Sequence, residues 1–164
     1  MELNSPLAAY IAREIGYYDD DGLSMWANEV IPKNDEYINN EYLIELYSLL
    51  PGSNNKAQDL LRLYIETQRP DFSMSSKEAE NVAVLWLSLR LKEYIDGKRL
   101  PWELCRMVQP IESFYDFPKW LGNLFNSCDW LGPDSKSEDC KHLVVEAQTL
   151  LDSLTSRCTG ADYS

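Results

Sequence analysis

One histidine, His142, is all the sequence offers across 164 residues. A Ser–His or Cys–His nucleophilic mechanism would have to use it, and it falls on a face shared with Glu146 and Thr149. Basic charge is scarce as well, with 15 Lys and Arg against 27 Asp and Glu and a net charge of −12. That balance argues against nucleic acid and anionic membrane as direct ligands, because both require positive surface. No apolar run approaches the ~18 residues of a membrane span, and the opening MELNSPLAAYIAREIG has none of the features of a secretory signal. The seven glycines form neither a phosphate-cradling loop nor a nucleophile elbow. No internal repeat of fixed period is visible.

Four cysteines are present. Without a secretory signal the sequence predicts a cytoplasmic protein with all four as thiols. Cys128 and Cys140 stand too far apart for a Cys-x-x-Cys zinc knuckle, and Cys140 and His142 diverge by about 200° on a helix. Cys105, Cys128 and Cys140 therefore read as small buried hydrophobes, with Cys158 in the tail. Asp19-Asp20-Asp21-Gly22 fails as a calcium loop, because Gly22 at the sixth position would put Tyr17 first and Asn28 twelfth. Asn123, Asn126 and Asp129 read as the polar side of an amphipathic helix, and Gly122 as a close backbone crossing. No metal, cofactor or catalytic residue is expected.

What is abundant is apolar and aromatic side chain, 45% and 12% of residues, with five Trp and ten Tyr. At this length the chain is expected to form one domain with a sizeable core. The core is organised around Ser75–Gly97, SSKEAENVAVLWLSLRLKEYIDG. Ser75 and Glu78 have capping-box spacing, and Gly97 supplies a left-handed stop. Val82 to Leu91 cover nearly every azimuth, leaving one polar stripe of Lys77, Asn81, Ser88 and Lys92. A helix over about 76–96, apolar almost all round, belongs in the middle of a bundle.

Around it the punctuation predicts further helices. Ser5-Pro6 starts one that Gly16 ends. Tyr17–Gly22 reads as a loop, Leu23–Ile31 as a short helix stopped by Pro32, and Lys33–Asn40 as a linker. Helices follow over Asn40–Leu50, burying Leu43, Leu46, Tyr47 and Leu50, and over Asn55–Thr67. Others start at Pro101, with Pro110 kinking or ending it, and at Pro118. The last runs from about Ser135 to Arg157, with a stripe of Leu143, Val144, Ala147, Leu150, Leu151 and Leu154, and the tail frays from Thr159. The result is an all-α bundle of about seven or eight helices with no strand.

Charge is unevenly placed. Residues 1–60 hold eleven acidic and three basic side chains, a net of −8, while 61–164 hold sixteen and twelve, a net of −4. Tyr17, Tyr18, Asp19, Asp20, Asp21, Glu29, Asp35, Glu36 and Tyr37 place acids and aromatics together outside the strongest helices. Aromatics anchor interfaces and charge steers encounter, so these nine are the predicted partner-binding residues.

Residues Pro101 to Asp134, PWELCRMVQPIESFYDFPKWLGNLFNSCDWLGPD, resemble a run in small bacterial immunity proteins. These are encoded beside contact-dependent growth inhibition or other polymorphic toxins. The similarity is strongest over PWELCRMV and WLGNLFNSCDW, and it carries over no toxin-contacting residue. The resemblance implies a cognate toxin domain as partner, basic and nuclease-like, neutralised without catalysis by covering its active site or nucleic-acid path. An acidic adaptor with a non-toxin partner, homodimeric or not, is the alternative. A carboxylate-based helical enzyme is the third reading, and it predicts a metal or a pocket lined by converging acids.

Overall fold

The computed structural model describes residues 2–50, 52–129, 131–135 and 140–160, and among these the secondary structure is entirely helical. The chain divides into two compact units, Met1–Val82 and Ala83–Ser164. Trp130, the expected start of the last helix between Ser135 and Cys140, and the end of the tail lie outside the described residues.

The first unit opens with α1 (Pro6–Glu14), where Ser5 Oγ accepts from the Ala8 N–H at 3.2 Å and Pro6 takes a position that needs no donor. Leu7, Ile11 and Ile15 are buried as the stripe requires. α2 (Asp20–Val30) starts three residues earlier than expected, because Asp19 is its N-cap: Oδ1 accepts from the Gly22 N–H at 2.7 Å. Pro32 lies in a 3-10 turn (Ile31–Lys33) rather than at a sharp break. The expected linker holds a one-turn helix, α3 (Asp35–Ile38), since Asn34 Oδ1 accepts from the N–H groups of Glu36 and Tyr37.

α4 (Glu41–Tyr47) is capped by Asn40 and buries Leu43 and Leu46. Its last residue Tyr47 is 41% exposed, and Leu50, beyond its end, is 77% exposed, contrary to the predicted stripe. α5 (Asn54–Gln68) buries Leu60, Leu61, Tyr64 and Ile65 and packs on α1, α2 and α4.

α6 (Lys77–Ile95) begins in the first unit and continues in the second. Its cap is Ser76, whose Oγ accepts from Ala79 N–H at 3.1 Å. The expected Ser75–Glu78 box does not form, because Ser75 Oγ bonds to Ser73 and Glu78 pairs with Arg69 at 2.7 Å. Val82, Ala83, Trp86, Leu87 and Leu91 are buried, while Leu85 and Leu89 extend the exposed stripe between Asn81 and Lys92. Arg90, unremarked in the sequence, is only 2% exposed. Its Nη1 lies 3.3 Å from Glu93 and 4.0 Å from Glu103, and Arg99 reaches both glutamates at 3.2 Å.

The second unit continues with α7 (Pro101–Cys105), where Glu103 Oε2 accepts from Leu100 N–H at 2.8 Å. The helix ends before Met107, and Pro110 sits inside the first turn of α8 (Val108–Tyr115). There its missing N–H has no intrahelical acceptor to lose, so the proline neither kinks nor ends a helix. Asp116 and Phe117 follow with φ of 51° and 52°.

The segment after Pro118 is a 3-10 turn (Lys119–Leu121) and then α9 (Leu124–Cys128), not one helix. Gly122 separates them at φ 60°, ψ −137°. A Cβ built there would meet nothing within 4 Å, so the glycine serves backbone conformation rather than a close crossing. α10 (Lys141–Gly160) buries Leu143, Ala147, Leu150 and Leu154 and packs on α9, while Val144 is 45% exposed.

The cysteine reading requires correction. Cys105 and Cys128 form a disulfide, with Cα atoms 5.2 Å apart. Each ends a helix, and packing of α7 on α9 brings them together across 23 residues of chain. Cys140 is a buried thiol, as expected.

Candidate functional site

Helix starts organise the acids of the first unit. Asp19 is the N-cap of α2, and Asp20 and Asp21 occupy its first turn; Asp35 and Glu36 open α3, and Glu41 opens α4. Carboxylates there are favoured by the positive end of the peptide dipoles. Asp20 also pairs with Arg13 at 2.7 Å. Tyr17 and Tyr18 are half-buried and meet edge to face, ring centroids 5.3 Å apart. Tyr18 packs so close to Gly22 that a Cβ there would lie 2.9 Å from its Cδ1.

Of the nine predicted residues, Asp21 and Glu29 share one face of α2, eight residues apart. Met25 stands midway between them, 71% exposed. Sequence reasoning missed it, although the four-residue spacing of Asp21, Met25 and Glu29 was readable. Glu29 also lines a cleft of about 210 Å³ with Glu2, Lys33, Asn34 and Tyr37. Burial, then the nearby Glu36 and Glu2, raise the Tyr37 phenol above its ordinary value.

The first unit holds fifteen acidic and six basic side chains, a net of −9. Every one of the six bases faces a carboxylate. Arg13 pairs with Asp20, Lys33 with Glu29 and Lys56 with Glu45. Arg62 pairs with Asp59 and Glu66, Arg69 with Glu78, and Lys77 with Glu80. Exposed pairs of this kind stabilise little, but they leave no Lys or Arg of the unit without a carboxylate beside it. Asp21, Asp35, Glu36 and Glu41 are exposed and form no ion pair with any described residue.

The second unit presents a different feature, a groove of about 810 Å³ that no single stretch of sequence announced. The disulfide lines it, together with Trp102, Arg106, Glu112, Asp116, Phe117, Phe125 and Asp129. The Arg106 guanidinium lies over the Trp102 ring, 5.5 Å from its centroid. Glu112 is buried, at 7% exposure. Burial, reinforced by Asp129, raises its carboxyl above the ordinary carboxylate range. Such an acid can donate a proton, or ionise when a cation arrives. Among the described residues, no group of three or more His, Cys, Asp or Glu could hold a metal ion, and no helix is long and apolar enough to cross a membrane.

No protein-family model, curated protein or solved structure matches the chain.

Proposed function

We propose that this chain is a bacterial immunity protein that binds a cognate toxin in the cytoplasm and neutralises it. The toxin in this reading is a basic nuclease, and inhibition covers its active site or nucleic-acid path. The observation that carries the reading is the charge arrangement of the first unit: all six bases are neutralised locally, and a surplus of exposed carboxylates remains. Such a surface attracts a basic partner from a distance and speeds its capture. Met25 between Asp21 and Glu29 adds an apolar contact of the kind that holds a partner once captured. The resemblance over Pro101–Asp134 supplies the toxin class.

The disulfide bears on the cytoplasmic part of the reading, since cytosolic thiol pools keep such pairs reduced. The protein must then act with Cys105 and Cys128 as thiols. Co-purification of the tagged protein with the product of the gene immediately upstream tests the whole proposal. A stable one-to-one complex, with toxicity released when this protein is withdrawn, is the expected result. No complex and no toxicity would reject it in favour of an adaptor with another partner.

One observation favours a second reading. A carboxylate-based enzyme would need a pocket lined by acids, and the groove contains Glu112, Asp116 and Asp129. Hydrolysis of phosphoester or glycoside substrates that Glu112→Gln abolishes would establish it.

A further inference from the structure

Glu112 in the groove of the second unit is buried, and its carboxyl makes no hydrogen bond or ion pair with any described residue. A cation that enters the groove can pair with this carboxyl. Asp129 is close enough to act on it electrostatically, and Asp116 lines the same groove. Arg106 is the one basic residue of the lining among the described residues, and its guanidinium is stacked on Trp102. The groove is therefore complementary to a cation. Its apolar surface is exposed in the same place: Phe117 is 69% exposed and Phe125 37% exposed.

We infer that this groove binds an arginine or lysine side chain carried on a segment of a partner protein. The charged end pairs with Glu112 and Asp129, and the aliphatic stem and its neighbours lie on Phe117 and Phe125. A volume of about 810 Å³ exceeds what one side chain fills and suits a short stretch of chain, within the range of ordinary ligand sites. The inference rests on reading this chain as a protein-binding module, but not on the toxin or on the acidic face of the first unit.

The test needs no toxin. The intact protein is titrated with the peptide Ac-Leu-Arg-Leu-NH₂, and with the same peptide carrying neutral citrulline, while backbone amide and Trp indole resonances are followed by NMR. The arginine peptide should shift Trp102 and residues around Glu112 and Asp129, and bind about tenfold more tightly than the citrulline peptide. Glu112→Gln, nearly isosteric, should remove that preference, as should Asp129→Asn. Phe117→Ala should weaken both peptides alike, and Asp71→Asn, at an exposed acid of the first unit, should change nothing.

Equal affinity for the two peptides, shifts confined to residues 1–82, or no shift at millimolar peptide would overturn the inference. So would tighter binding of free spermidine than of the arginine peptide, which would assign the groove to a small amine. Peptide binding without toxin capture would reject the immunity reading and leave the groove assignment standing. Toxin capture without peptide binding would do the reverse.

Discussion

Cys105 and Cys128 close a covalent loop between the last residue of α7 and the last residue of α9, their Cα atoms 5.2 Å apart. The bond lines the groove that also contains Glu112 and Asp129. Two short helices of five residues each would hold each other weakly through packing alone. The cross-link fixes their spacing and with it one side of the groove.

Reduction should therefore be measurable as lost stability. Closing a loop with a sequence separation of 23 residues constrains the unfolded chain by about 3 kcal/mol. Urea denaturation with and without dithiothreitol should differ by about that amount. The paired Cys105→Ala, Cys128→Ala variant should reproduce the reduced curve. Identical curves in oxidising and reducing buffer would mean that the bond contributes nothing to the fold, and that the cytoplasmic reading carries no stability penalty.

Arg90 offers a second test in the same unit. At 2% exposure it lies between Glu93 and Glu103, and those acids also hold Arg99. Without Arg90 both glutamates still hold Arg99, so the loss comes chiefly from the volume left empty. Arg90→Ala should lose about 2–5 kcal/mol in urea denaturation. Arg90→Met fills the volume and should recover part of the loss. An Arg90→Ala variant as stable as the parent would show that the pairing is idle.

Glu112 predicts a pH dependence with a definite sign. Its folded carboxyl titrates above the ordinary value of 4.5, chiefly because it is buried and secondarily because of Asp129. The folded state thus binds a proton that the unfolded state has released. Its contribution to stability is full below pH 4.5 and is lost as pH rises through the raised value. Glu112→Gln should be more stable than the parent at pH 7, and the gap should close toward pH 4. A melting-temperature difference that stays constant across that range would place the carboxyl in water.

Local rules made much of the first unit readable in advance. Ser5-Pro6 fixed the start of α1, and the spacing of Leu60, Leu61, Tyr64 and Ile65 identified the buried side of α5. The errors came where a side chain takes a role that spacing alone does not assign. Tyr17–Gly22 reads as a loop, whereas the bond from Gly22 N–H to Asp19 makes Asp19 a cap. Ser75 reads as the cap of α6, whereas its neighbour Ser76 caps the helix and Arg69, nine residues before Glu78, draws that glutamate away from the Ser75 box.

The groove was not readable at all. Cys105 ends α7, Glu112 lies in α8 and Asp129 follows the last residue of α9, and only the packing of these three helices places them around one space. Nor did periodicity find Arg90, since a charged residue within an apolar helix reads as exposed until its partners on the following chain are known.

The acidic face of the first unit separates steering from folding by choice of residue. Asp19 and Asp20 serve the fold, one as a cap and one opposite Arg13, so reversing them should cost about 1–2 kcal/mol of stability whatever the partner. Asp21, Asp35, Glu36 and Glu41 have no ion-pair partner among the described residues. Changing those four to Lys removes favourable helix-dipole contacts worth only tenths of a kcal/mol each but inverts the field a basic toxin would meet. Association with the co-purified toxin, followed by surface plasmon resonance, should slow about tenfold or more at low salt, with the deficit shrinking as salt screens the charges. Dissociation should change much less, because steering acts before contact. An unchanged association rate at every salt concentration would remove this face from the interface and leave the groove of the second unit as the place to look.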